Sequence, residues 1–170
     1  MYRSCFLGCG GRARGHAQAY KHVTRGEMVA ICDMDEERLT SFGDDFGVET
    51  RYTDMVEMIE KEKPDLLHIV TLPTIRYSLM KVAADLGVPA VIVEKPIALQ
   101  SEDYLEIRTL LDTDTKFIVN TQLHFHPNNL ILGDAVRGGA IGDIRFVDAS
   151  ARSTPIDQGP HVLELVSSYL

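Results

Sequence analysis

One short stretch constrains this chain more than any other. Gly8-Cys9-Gly10-Gly11-Arg12-Ala13 joins an apolar run, Tyr2 to Gly8, to an amphipathic stretch, Ala13 to Thr24. The run reads as a strand and the stretch as a helix. A Gly-x-Gly-x-x-Ala turn in that position is the arrangement that holds a dinucleotide. Gly8 permits the tight turn, Gly10 lets the backbone approach a pyrophosphate, and Ala13 keeps the helix close to the sheet. With Gly11 and Arg12 they form the candidate cofactor loop. Free N–H groups at the helix start favour a diphosphate there. Twenty residues after Ala13, Asp33 closes the next apolar run. A carboxylate at that place accepts hydrogen bonds from a ribose diol and repels a 2′-phosphate. NAD is the expected cofactor. Arg12 and Arg38 lean the other way, so NADP stays open.

The rest of the chain agrees with such a start. Strands are expected at Met28–Asp33, Asp65–Thr71, Ala90–Glu94 and Phe117–Thr121. Helices are expected at Asp35–Phe46, Thr53–Lys63, Thr74–Leu86 and Ser101–Asp112, the last with Ser101 as its cap. Pro64 stops one helix, and Gly87 with Pro89 stops another. Strand–helix alternation without hairpin signals means an α/β fold, a doubly wound parallel sheet of the Rossmann type. The expected dinucleotide-binding domain covers residues 1–121. Beyond it, Pro127–Arg137 reads as a helix and Ile144–Arg152 as a strand. A final helix is expected near Gly159, with Pro160 in its first turn. So few elements cannot close a core. Residues 122–170 therefore read as the incomplete start of an α+β substrate domain.

Composition excludes some classes. Against 17 basic residues stand 25 acidic ones, a net charge of −8, which argues against a protein that coats nucleic acid. The charge is uneven: Met1 to Gly26 holds five basic residues and no acidic one. The phosphate-binding turn gives that positive island a use. The longest uncharged stretch, Phe117 to Gly133, is too polar for a membrane span, and no signal peptide is apparent. The three cysteines, Cys5, Cys9 and Cys32, are odd in number and suit a reducing, cytoplasmic setting. No third and fourth ligand lie at zinc spacing from Cys5 and Cys9.

Two further groups carry chemistry. Glu94-Lys95-Pro96 ends a strand at the edge where doubly wound sheets bind ligands. Pro96 pushes Lys95 toward extended geometry, which lets its ammonium project into the crevice. Asp157 and His161 are four residues apart at the start of a helix, hence on one face. A histidine oriented by a carboxylate is a proton acceptor. Taken alone, the same pair reads better as a helix cap and a core histidine.

Gly-Cys-Gly-Gly-Arg-Ala-x-x-His16, Asp33, Thr71-Leu72-Pro73, Glu94-Lys95-Pro96-Ile97-Ala98 and Asp157-x-Gly-x-His161 occur in this order. The set resembles the glucose–fructose oxidoreductase / inositol dehydrogenase / rhizopine-catabolism family over nearly all of the chain. The resemblance implies that Lys95, Asp157 and His161 are catalytic, and that Thr71, Pro73, Glu94 and Lys95 line the cofactor site. It implies hydride transfer between a sugar, sugar-derivative or cyclitol hydroxyl and nicotinamide. His161 would take the hydroxyl proton, Lys95 would stabilise the developing alkoxide, and Asp157 would orient the substrate or tune His161. A small polyol or sugar is then the partner, no metal is needed, and the family's dimer contact allows a homo-oligomer. Departures are Arg76 where the family commonly has histidine, His124 where it has arginine, and Glu164 for an aspartate. His124 and His126, alternating along a strand, would with His161 suggest a metal site only if a carboxylate joined them. The family usually continues for about as many residues again, so the chain reads as an N-terminal half. Two alternatives stand beside the dehydrogenase: a non-catalytic dinucleotide-binding module or inactive fragment, and an NAD-dependent glycosidase.

Overall fold

A computed structural model describes residues 1–170. They form two compact units, Met1–Val119 and Asn120–Leu170. The first is built on a six-stranded sheet in the order β3-β2-β1-β4-β5-β6. Its strands are β1 (Tyr2–Leu7), β2 (Gly26–Cys32), β3 (Arg51–Tyr52), β4 (Leu66–Ile69), β5 (Ala90–Glu94) and β6 (Lys116–Asn120). β1 pairs in parallel with β2 and β4, β2 with β3, and β4 with β5. The chain travels outward from β1 to β3, then crosses back to β4. That reversal opens a crevice beyond the carboxyl ends of β1 and β4.

Side-chain alternation assigns each strand residue to a face. Cys5 and Leu7, Ala30 and Cys32, Leu67 and Ile69, and Val91 and Val93 share one buried cluster. Against them pack α3 (Met55–Glu62), α4 (Arg76–Asp85) and α5 (Ser101–Thr109). Phe6 and Ile31 point to the other face, under α1 (Gly11–Ala19) and α2 (Glu36–Phe46). Ala13 and Ala17 are the buried residues of α1 and let it lie close to the sheet. Phe6 and Phe42 are wholly buried, each contributing roughly 2–3 kcal/mol of burial. Asp35 and Asp54 cap α2 and α3, accepting from Arg38 N at 3.0 Å and Glu57 N at 2.8 Å.

The parallel α/β architecture agrees with the sequence reading, and β5 and α6 have the expected bounds. Elsewhere the differences have physical causes. α1 ends at Ala19 and passes into a single 3-10 turn, Tyr20–His22, rather than reaching Thr24. β3 was not expected, since two residues carry no periodicity. Ser101 is the first residue of α5, not its cap; Gln100 holds that position, and the Ser101 hydroxyl donates to Glu102 Oε1 at 3.0 Å.

The second unit contains α6 (Pro127–Arg137) and α7 (Pro155–Tyr169), joined where the Tyr169 hydroxyl donates to Asn129 O at 3.3 Å. The strand expected at Ile144–Arg152 does not form. Its backbone has no ladder partner, and alternation alone cannot satisfy the N–H and C=O groups of a strand. α7 begins at Pro155 rather than near Gly159, because Thr154 caps it: Thr154 Oγ1 accepts from Asp157 N at 3.3 Å. Pro160 is consequently inside the helix and not in its first turn. No helix is long and apolar enough to cross a membrane.

Candidate functional site

The glycine-rich loop leaves β1 at Gly8, whose φ is +96°. A Cβ there would sit 2.5 Å from the carbonyl oxygen of Val70, at the end of β4. Only glycine fits this closely packed turn. Gly10 is the N-cap of α1 and Gly11 its first residue, and a Cβ at either would meet nothing within 4 Å. The space over the helix start is therefore open, and no side chain caps it. Ala13 is fully buried beneath.

Asp33 follows β2 and faces this loop. Its Oδ2 accepts from Cys9 N at 2.7 Å and its Oδ1 from Asp35 N at 2.9 Å. Each carboxylate oxygen has a second acceptor site, so two ribose hydroxyls can still be bound. Three arginines on the helices beside the loop are engaged. Arg12 Nε lies 3.8 Å from Glu94, and Arg38 Nε donates to Asp35 at 2.8 Å. Arg14 pairs with Asp45 and with Ser41 Oγ.

Glu94, at the end of β5, is buried and heads a polar chain that sequence reasoning missed. Glu94 Oε1 is 2.8 Å from His16 Nε2, His16 Nδ1 is 3.1 Å from His68 Nδ1, and His68 Nε2 is 2.9 Å from the Tyr20 hydroxyl. With Glu94 ionised and both imidazoles neutral, one pattern satisfies all three contacts. Tyr20 donates to His68 Nε2, His68 Nδ1–H to His16 Nδ1, and His16 Nε2–H to Glu94. His68 also stacks on Phe6 with ring centroids 4.2 Å apart. Burial, then the neighbouring His16, pushes its pKa down to about 3. A usable signal was present: a polar residue inside a buried apolar run must find partners. His16 on α1 and Tyr20 in the 3-10 turn that follows it supply them.

Arg76, a departure from the family pattern in the sequence, stands at the start of α4 and makes contacts the sequence did not reveal. It is 1% exposed and donates to the carbonyls of Thr71, at 2.6 Å, and Pro96. It thus ties the turn after β4 to the turn after β5. Its Nε has no partner, and burial pulls its pKa down while the Glu94 charge opposes that. Thr71 and Pro73 flank Leu72 in the first of these turns, and Pro73 opens a short 3-10 helix. Lys95 follows Glu94 directly, at the carboxyl edge, and its bond to Pro96 is cis.

Gly8, Gly10, Gly11, Arg12, Ala13, Asp33, Arg38, Thr71, Pro73, Glu94 and Lys95 all lie within the first unit. Asp157 and His161 lie in the second, in the first two turns of α7. Asp157 accepts from Ser153 Oγ at 2.8 Å, and His161 is buried. The two histidines expected on a strand are not on one. His124 sits in a 3-10 turn with Nδ1 2.7 Å from Glu164 Oε1, and His126 caps α6 through Nδ1. No three His, Cys, Asp or Glu side chains group as a metal site.

Residues 2–121 match the family model described as "Oxidoreductase family, NAD-binding Rossmann fold". The chain is 34% identical over 153 residues to a D-apiose dehydrogenase of Paraburkholderia graminis, covering 89% of this chain and 40% of the relative. It is 28% identical over 155 residues to a myo-inositol 2-dehydrogenase of Thermotoga maritima, covering 89% and 46%. Among solved structures it resembles an oxidoreductase from Agrobacterium radiobacter in complex with NAD+, L-tartaric acid and magnesium. That match has a TM-score of 0.86 and 26% identity, covering 99% of this chain and 54% of the other. The chain spans less than half the length of both curated relatives.

Proposed function

The chain belongs to the oxidoreductase family with an NAD-binding Rossmann fold, and from that premise we propose that it binds NAD and carries the cofactor half of a sugar or cyclitol dehydrogenase. The observation that carries this reading is the loop geometry. A turn only glycine can make, an uncapped helix start with open space above it, and a carboxylate facing the loop meet at one sheet edge. These residues fit a dinucleotide. The helix start suits the diphosphate and Asp33 the adenosine ribose. Relatives named for D-apiose and myo-inositol support a polyol substrate.

Bound nicotinamide supplies the hydride acceptor. Lys95 donates a hydrogen bond to the substrate oxygen and stabilises negative charge developing there. His161 accepts the hydroxyl proton, and Asp157 orients the substrate or His161. Residues 1–121 serve as the cofactor domain and 122–170 as the start of the substrate domain. Three buried free cysteines suit a reducing compartment, the cytoplasm. Self-association belongs to the same proposal.

Calorimetry with NAD and absorbance at the reduced nicotinamide band, over a panel of polyols, test the reading. Lys95→Ala is expected to keep NAD binding and lose turnover by about 10²–10³-fold, the scale for one lost oxyanion donor. Unchanged turnover in that variant removes Lys95 from the mechanism. Binding without turnover on any polyol leaves a dinucleotide-binding module. Release of a sugar leaving group without net NADH marks a glycosidase.

A further inference from the structure

We propose that Asp35 biases the choice between the two nicotinamide dinucleotides by occupying Arg38, the arginine in the first turn of the helix that follows Asp33. The proposal rests on the reading that this chain binds a dinucleotide. A 2′-phosphate beside Asp33 needs a cation as its partner. Three arginines belong to the helices flanking this loop, and each has another partner. Arg12 leans toward the buried Glu94. Arg14 is held by Asp45 and Ser41, and its guanidinium lies over the rings of Phe42 and Phe46. Arg38 is held by an exposed neighbour, Asp35, whereas the partner of Arg12 is the buried Glu94.

That neighbour is unusually placed. Asp35 Oδ1 accepts the Arg38 backbone N–H at 3.0 Å, and Oδ2 accepts Arg38 Nε at 2.8 Å. Its own N–H donates to Asp33 Oδ1 at 2.9 Å. One residue therefore caps α2, holds the Arg38 side chain and adjoins the carboxylate expected to hold the ribose. The Arg38 N–H, the main cause, holds the Asp35 carboxyl below the usual range, so it stays ionised. An exposed ion pair of this kind is weak in isolation. Both side chains are substantially exposed, so the restraint is one that a single substitution releases. Asp33 cannot be separated in this way, because it also anchors the loop through Cys9 N.

Asp35→Ser isolates the effect. Serine retains a capping oxygen for the Arg38 N–H and removes only the charge and the second acceptor. NAD, NADP, AMP and 2′-AMP are titrated by calorimetry into the wild-type chain, Asp35→Ser and the double variant Asp35→Ser/Arg38→Ala. In Asp35→Ser, NADP and 2′-AMP are expected to tighten by about fivefold, the upper range for releasing an exposed ion pair. NAD and AMP should stay within about threefold. The double variant is expected to lose that gain. NAD binding with an unmoved NADP affinity in Asp35→Ser overturns the proposal alone. So does a gain that survives removal of Arg38. Failure of the wild-type chain to bind NAD overturns the dinucleotide reading itself. Thermal unfolding of each variant identifies a folding defect, in which case Asp35→Asn replaces serine in the same comparison.

Discussion

Gly8→Ala is expected to destabilise the first unit by about 3–5 kcal/mol and to abolish dinucleotide binding with it. Two costs combine. Alanine at φ +96° is strained, by roughly 1–3 kcal/mol. The new methyl also lies 2.5 Å from Val70 O, a backbone atom at the end of β4, so the turn or the strand must move. Val70 N donates to Leu7 O, one residue before Gly8, so the shift also strains the β1–β4 ladder. Gly10→Ala is the matched control. Its Cβ meets nothing within 4 Å and its φ is ordinary, so stability should change by less than about 1 kcal/mol. NAD affinity should nevertheless fall, because the added methyl occupies the space a pyrophosphate needs. Urea unfolding and calorimetric NAD titration of both variants separate a glycine required by the fold from one required by the ligand. Equal stability loss in the two would remove that distinction.

The sheet was legible because its information is local and repeated. Apolar runs of strand length, such as Leu66-Leu67-His68-Ile69, alternate with stretches closed by Pro64, Gly87 and Pro89. Each boundary has its own physical signal, and a parallel sheet follows from their alternation. The loop was legible because a φ of +96° at Gly8 admits one residue type. The second unit was less so. Ile144–Arg152 alternates like a strand, yet pairing depends on a partner that alternation does not encode. The start of α7 was misplaced because Pro160 drew attention from the Thr154-Pro155 signal six residues earlier. Within the candidate site, partnerships between distant elements were hidden. Arg76 reaches the Pro96 carbonyl 20 residues on, and His16 reaches Glu94 78 residues on. Such contacts are set by the crossing of α1 and α4 over the sheet, not by local propensity.

The acid limb of stability is expected to carry the signature of His68. This imidazole is 5% exposed and lies flat on Phe6, and its folded pKa is about 3 against an ordinary 6.5. Above pH 6.5 it is neutral in both folded and unfolded chains and contributes no pH dependence. Between about 6.5 and 3 the unfolded chain binds a proton that the folded chain refuses. Stability therefore falls as pH falls across that window, by about 1.4 kcal/mol per pH unit at most. The accumulated loss approaches about 4–5 kcal/mol near pH 3, a large share of a domain's stability. Burial is the main reason the folded state refuses the proton. Protonation would also turn His68 Nε2 from acceptor to donor, so the Tyr20 hydroxyl would have to reverse its role. His68→Gln keeps a donor and an acceptor but does not titrate. It should be less stable than wild type at pH 7.5, and the gap should narrow by about 2 kcal/mol on going to pH 5. Urea midpoints at the two pH values measure this. A pH-independent gap, or an imidazole nitrogen spectrum showing His68 protonated at pH 5 in the folded chain, would exclude His68 as the source of acid sensitivity.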